Sequence, residues 1–359
     1  MATDIIRPEI KALSAYHVQS AAGMIKLDAM ENPFAFPDHL RVGLADALAR
    51  ASLNRYPGTA AHDLKAEIRA GMKIPAELDI LLGNGSDEII QLIAMAVAKP
   101  DACLLSIEPS FVMFKMIATF CGLEYVGVRL RADFSLDCMA VLAAIQEKHP
   151  AVTFIAYPNN PTGNLFDRAS IREIIAATAE YGGLIVIDEA YFAFSAETFL
   201  AEIGTHPNAV LMRTVSKLGL AGIRLGMLIG RASWLAEFDK LRLPYNINAL
   251  TQAAAVFAMR HYDALLAQTE TLKGERSRVA AAIDRIGYIE RFSSDANFIL
   301  IRVADAGQTF AHLHSRKILV KDTSASHVLM KNTLRLTIGT PTENDALISA
   351  LQDSPKPKP

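Results

Sequence analysis

The chain of 359 residues has only three cysteines, no block of Lys and Arg and no long apolar run, and each shortage closes off a class of protein. Cys103, Cys121 and Cys138 are odd in number and form no C-x-x-C pair, so neither a disulfide framework nor a thiolate metal site is indicated and buried thiols are expected. The histidines are scattered. His312 and His314, two apart, would fall on opposite faces of a helix, so no metal is expected. With 36 basic against 38 acidic side chains the net charge is −2, which removes the electrostatic footprint of a nucleic-acid binder and leaves small molecules as the expected partners. No stretch approaches the roughly 18 apolar residues of a membrane-spanning helix, and Asp4, Arg7, Glu9 and Lys11 put charge where a secretory signal would be apolar. A cytoplasmic protein without membrane contact is expected. Internal repeats are also lacking.

What is present is an ordinary globular composition, 51% hydrophobic and 21% charged, in a chain long enough for two domains. Between residues 80 and 213 short apolar runs at 80–82, 103–107, 125–128, 152–156, 184–187 and 210–212 read as strands. They alternate with helical patterns at 87–98, 139–148 and 169–181. That rhythm means βαβ units, and runs apolar at every position, such as Leu184-Ile185-Val186-Ile187, suit a mainly parallel sheet covered on both faces. Ligands should gather at the carboxyl ends of such strands. Past residue 250 a long Ala-rich helix over 251–285 and short strands at 298–303, 318–320 and 334–338 suggest a smaller α+β domain. The expected division is an N-terminal segment 1–40 packing on the small domain or the active site, a large domain 41–248, a small domain 249–350 and a disordered tail 351–359.

Four segments could carry chemistry. Gly83-Asn84-Gly85-Ser86-Asp87-Glu88 follows a strand and opens a helix, so free backbone N–H groups could face an anion, although a plain turn with Ser86 or Asp87 as helix cap explains it equally well. Glu88 occupies the third glycine position of a dinucleotide fingerprint, and no G-x-x-x-x-G-K-[ST] occurs, so neither NAD nor ATP is favoured. Tyr157-Pro158-Asn159-Asn160-Pro161-Thr162-Gly163, after a strand, is a rigid turn that could aim the Asn160 amide at a ligand, or a structural turn only. Asp188 ends an apolar strand and needs a partner, whether a structural Arg or a cation on a ligand. Lys217 and Arg224 lie in a Gly-rich apolar stretch, where desolvation would make the lysine a nucleophile toward aldehydes.

Taken together, a phosphate loop, an Asn-Pro turn, Asp-x-x-Tyr and Ser-Lys followed by Arg meet the demands of one cofactor, pyridoxal phosphate. The constellation resembles the fold-type I pyridoxal-phosphate aminotransferases over nearly the whole chain. In particular it resembles the histidinol-phosphate aminotransferases, through Leu27-Asp28-Ala29-Met30-Glu31-Asn32-Pro33, Asn54-Arg55-Tyr56-Pro57, Asp295-Ala296-Asn297-Phe298 and Leu334-Arg335-Leu336-Thr337-Ile338-Gly339. The resemblance implies an α/β fold, with a large, mainly parallel seven-stranded α/β/α domain and a smaller α+β domain. It implies Lys217 as the lysine bonded to the cofactor, Asp188 as partner of the pyridinium nitrogen, and Asn160 and Tyr191 as contacts of the phenolate oxygen. Gly85, Ser86, Asp87, Thr214, Ser216 and Arg224 would surround the phosphate. Phe111 would stack on the ring where relatives carry tyrosine, keeping the stacking but losing the hydroxyl.

Tyr56 would reach the phosphate from a second subunit, implying a homodimer. Arg335, Lys321, Asn32 and Tyr56 would hold the substrates, histidinol phosphate and 2-oxoglutarate or glutamate. Lys321 stands where relatives carry a second arginine, keeping the charge without bidentate geometry. Aromatic-amino-acid aminotransferases and threonine-phosphate decarboxylase share most of these cofactor residues and remain alternatives. A ligand-sensing regulator would need a DNA-binding domain ahead of the fold. About 26 residues precede the Leu27 motif, which is too few.

Overall fold

In a computed structural model of the protein, residues 5–15 and 19–355 are described. A short strand, β1 (Ile25–Leu27), precedes seven strands that form the larger sheet. These are β2 (Asp79–Gly83), β3 (Cys103–Glu108), β4 (Glu124–Arg129), β5 (Val152–Ala156), β6 (Leu184–Asp188), β7 (Ala209–Thr214) and β8 (Gly226–Gly230), side by side as β2-β8-β7-β6-β5-β3-β4. Only β8 runs against its neighbours, β2 and β7. The continuous apolar runs are explained by burial on both faces. Along β6, Ile185 and Ile187 enter one core while Leu184 and Val186 enter the core on the opposite face.

Four further strands, β9 (Glu290–Arg291), β10 (Phe298–Arg302), β11 (Ile318–Asp322) and β12 (Thr333–Thr337), join β1 in a second sheet ordered β1-β11-β12-β10-β9. β1 pairs in parallel with β11, so the N-terminal segment is woven into the smaller sheet. Lys321 and Arg335 are cross-strand partners on β11 and β12, which puts two cations on one face.

Several elements differ from the sequence-based expectation. The helix expected over 251–285 is two helices, Ala249–Arg260 and Tyr262–Ile283, broken at His261 without a glycine or proline to mark the break. Ala255 and Met259 of the first of these pack into the core of the larger sheet, so the division at 248/249 cuts through one packed unit. β8 was not expected, because its Gly-rich sequence reads as an extension of the preceding loop. The final helix, Pro341–Gln352, runs past residue 350 and Ser354 is buried, with the Tyr288 hydroxyl donating to its carbonyl at 3.3 Å, so 351–355 is not a tail. Residues 356–359 of the expected tail lie outside the described residues. Of the three thiols only Cys103 is fully buried. Among the described residues no helix is long and apolar enough to cross a membrane.

Candidate active site

The carboxyl ends of the central parallel strands converge on one cavity. Ala156 closes β5, Asp188 closes β6 and Thr214 closes β7, and all three line it with Ser86 and Asp87 from the helix Ser86–Val97. Ala29, Met30 and Glu31, in the stretch after β1, close another side. Chain segments far apart in sequence meet here because a parallel sheet delivers all its strand ends to one edge.

One end of the cavity is an anion cradle. Gly85 precedes the helix Ser86–Val97 with φ +80, and no side chain caps the first N–H groups, so the capping reading of Ser86 or Asp87 does not hold. Those amides and the positive end of the helix dipole face the cavity. A Cβ at Gly85 would sit 2.6 Å from Arg224 Nη2, and one at Gly226 would sit 2.6 Å from the Gly85 carbonyl carbon. Glycine at both positions therefore sets how closely Arg224 and the loop approach. The Ser216 and Thr214 hydroxyls lie 2.8 Å apart on the other flank. Asp87 contributes its amide. Its carboxyl is pushed up by burial, opposed by Arg224 and Lys217, and Oδ1 has no hydrogen-bond partner among the described residues. Amides, two hydroxyls and a guanidinium around a small concavity suit a phosphate group.

Deeper in, Asp188 Oδ1 accepts from the Ala190 amide at 3.0 Å. Burial, reinforced by Asp87 and Glu189, pushes this carboxyl up to about 7. A carboxyl so buried gains strongly from a cationic partner, and Lys217 supplies part of that attraction. Lys217 sits in a single 3-10 turn, Ser216–Leu218. Burial first, then repulsion from Arg335, brings its amine down to about 8. Its Nζ lies 6.0 Å from the centre of the Tyr191 ring. The Tyr191 hydroxyl donates to Met30 Sδ at 3.1 Å and is held far above its ordinary value by burial. Asn160 lines the same cavity, and its Oδ1 accepts from Arg335 Nη1 at 2.6 Å, while Arg335 Nη2 donates to the Asp28 carbonyl at 2.9 Å. Phe111 forms part of the wall, braced edge-on by Phe114 at 5.6 Å.

A pyridoxal phosphate fits this donor set. The cradle matches the phosphate, Phe111 offers a ring face, and Asp188 lacks only the cation that a protonated ring nitrogen would bring.

Asn32 and Tyr56 do not line this cavity. The Asn32 amide donates to the Leu218 carbonyl at 3.2 Å and to Gln268 Oε1 at 3.0 Å, clamping the N-terminal segment to the Lys217 turn. Tyr56 is 79% exposed and stacks on Tyr245 at 4.3 Å, outside the cavity of its own chain. Lys321 and Arg335 line an adjoining chamber that shares Met30, Phe111 and Asn160 with the first. Two supports escaped the sequence reading. Buried Asn159 donates to the Pro109 carbonyl and to Thr162, and accepts from Ser110, which locks the loop carrying Asn160. Glu189 and Arg213, 0% and 4% exposed, pair at 2.8 Å and tie the end of β6 to the end of β7.

The sequence matches the description "Aminotransferase class I and II" over residues 22–351. It is 51% identical over 348 residues to a histidinol-phosphate aminotransferase of Chromobacterium violaceum, covering 97% of each chain. It is 49% identical to histidinol-phosphate aminotransferase 2 of Cupriavidus pinatubonensis, again over 97% of both. Among solved structures, the histidinol-phosphate aminotransferase of Sinorhizobium meliloti in complex with pyridoxal-5'-phosphate has the same fold, with a TM-score of 0.87 at 22% identity over 98% of this chain and 97% of that one.

Proposed function

The chain belongs to the class I and II aminotransferase family, and on that premise we propose that it is a histidinol-phosphate aminotransferase carrying pyridoxal 5'-phosphate. It moves an amino group between L-histidinol phosphate and 2-oxoglutarate, giving imidazole acetol phosphate and L-glutamate in histidine biosynthesis, in the cytoplasm. The observation that carries this reading is the shared cavity of Asp188, Lys217 and the Arg224 cradle, opening onto the Lys321 and Arg335 chamber. Near-half identity to full-length relatives of that name supports the choice of substrate.

When bound, the cofactor supplies an electron sink for the pair released at the substrate Cα–H bond. The chain's own groups do the rest. Asp188 would hold the pyridine nitrogen in its protonated form, and that pairing would offset the cost of burying the carboxylate. At pH 7 an amine titrating near 8 is about 10% neutral, some 300 times the fraction of an ordinary lysine. Lys217 is therefore competent as nucleophile toward the aldehyde. With its amine free, Lys217 would act as base and then acid, taking up the proton of the substrate Cα and handing it back. Tyr191 and Asn160 would hold the phenolate oxygen. Arg335, held by Asn160 and the Asp28 carbonyl, presents a planar fork to the donor's phosphate or to glutamate's carboxylate in turn.

The same reading makes the enzyme a homodimer in which Tyr56 serves the partner's phosphate site. Its exposed ring, with exposed Leu53 and Leu243 elsewhere in the chain, supports that reading. A turnover assay with 2-oxoglutarate tests the assignment: histidinol phosphate should exceed phenylalanine and tyrosine in kcat/KM by at least about a hundredfold. Preference for an aromatic amino acid, or carbon dioxide release from threonine phosphate, would overturn the substrate while leaving the cofactor in place.

A further inference from the structure

The chamber beside the cofactor cavity is not uniformly basic. Lys321 and Arg335 line it from the smaller sheet, whereas Glu108, at the carboxyl end of β3, and Tyr125, on β4, line it from the larger one. Phe111, between the two cavities, supplies an aromatic wall to both. Glu108 has a built place: a Cβ at Gly127 on the neighbouring strand would lie 2.5 Å from Glu108 Cδ, so only glycine there lets the carboxyl lie across β4. Its partners are the Tyr125 hydroxyl, which hydrogen-bonds the carboxyl, and Lys115, whose Nζ stands 3.5 Å from Oε1 but is itself 62% exposed and drawn over the Tyr125 ring at 5.3 Å, so the carboxylate keeps acceptor capacity for a ligand. His327 adds a fixed polar edge. Its Nδ1 accepts from the Leu329 amide at 3.2 Å, which puts the proton of the neutral ring on Nε2. A chamber with two cations on one wall and an acceptor on the other suits a ligand that carries an anion and, one short arm away, an N–H.

Resting on the functional reading above, we propose that Glu108 determines donor specificity: its carboxylate accepts the N–H of the donor's imidazole ring while Lys321 and Arg335 hold the donor's phosphate. The phenylalanine ring offers no N–H and would seal the Glu108 carboxylate from water with Lys115 and the Tyr125 hydroxyl as its only partners, and a site built around a hydrogen bond rejects the analogue that lacks it more strongly than a greasy pocket rejects an extra group. 2-Oxoglutarate has no ring to present, so its half-reaction does not depend on this contact. Glu108 thereby separates the two substrates that share Arg335.

The test is calorimetric binding to the cofactor-loaded Lys217→Ala protein, which cannot turn over. The ligands are histidinol phosphate and 2-aminopropyl phosphate, which keeps the amine and phosphate but has a methyl group in place of the imidazolylmethyl arm. Adding Glu108→Gln should weaken histidinol phosphate about tenfold, the loss of one charge-assisted hydrogen bond, and leave the ringless ligand within about twofold. Gly127→Ala, which keeps the carboxyl but displaces it, should show the same selective loss, and Lys115→Ala should not. Equal weakening of both ligands by Glu108→Gln, or of neither, overturns the assignment. A loss on Lys115→Ala as large and as selective as that of Glu108→Gln does so as well. If the Lys217→Ala protein fails to bind histidinol phosphate at all, both the functional reading and this assignment fall; if it binds and only the selectivity test fails, the functional reading stands.

Discussion

Replacing Asp188 by Asn should make the cofactor-free protein more stable above neutral pH while weakening its hold on the cofactor. Asp188 titrates near 7 in the folded chain because burial outweighs the attraction of Lys217, against an ordinary value of 3.8. A carboxyl with a raised folded value contributes stability that is present below the unfolded value and is lost as pH rises through the folded one. The loss therefore runs from about pH 4 to about pH 7 and, for a shift of that size, amounts to roughly 4 kcal/mol in full. Asparagine keeps the oxygen that accepts from the Ala190 amide and carries no charge to bury. Urea unfolding of cofactor-free wild type and Asp188→Asn at pH 5, 6, 7 and 8 reads the difference directly, because other titrating groups cancel between the two proteins. The variant's advantage should grow with pH and level off near pH 8 at a few kcal/mol, on the order of the figure above. Its cofactor dissociation constant should rise at least about a hundredfold, reflecting the missing ion pair. A variant equally or less stable than wild type at pH 8 would refute the claim that burial of the Asp188 carboxylate outweighs its compensation within the chain, and with it the physical reason for placing a cationic ring nitrogen there.

Gly85→Ala forces a Cβ to within 2.6 Å of Arg224 Nη2 at a residue with φ +80, so equilibrium dialysis should show cofactor affinity falling about tenfold or more with the fold retained. Glu189→Ala strands the buried Arg213 guanidinium, and chemical denaturation should record a loss of about 3–5 kcal/mol. Arg335→Lys keeps the charge but not the fork, so KM for histidinol phosphate should rise about tenfold with a smaller change in kcat.

The parts of the site that could be read in the sequence were those on strand ends. Asp188 and Thr214 each close a buried, both-face apolar run, and such runs announce a parallel strand and hence the ligand edge. Gly85 and Lys217 were legible because a glycine before a helix and a lysine in an apolar stretch need explaining locally. What could not be read depends on contacts between distant segments. Asn32 stands in a recognisable motif, yet Leu218 and Gln268 claim its amide, and no spacing foretells that. Glu108 looks like the polar end of an ordinary strand until Gly127, 19 residues on, is seen to make room for it. Likewise β8 and the break at His261 are settled by sheet pairing and tertiary packing, not by local residues.

A single-turnover half-reaction tests the central claim most directly. The purified protein, loaded with pyridoxal phosphate until its visible absorbance is constant, is mixed with histidinol phosphate in the absence of any keto acid, and the spectrum is followed with time. The account predicts rapid, stoichiometric conversion to the absorbance of pyridoxamine phosphate, reversed by 2-oxoglutarate and abolished by Lys217→Ala. A protein that takes up the cofactor but leaves its spectrum unchanged with histidinol phosphate, or one that takes up no cofactor, would contradict it.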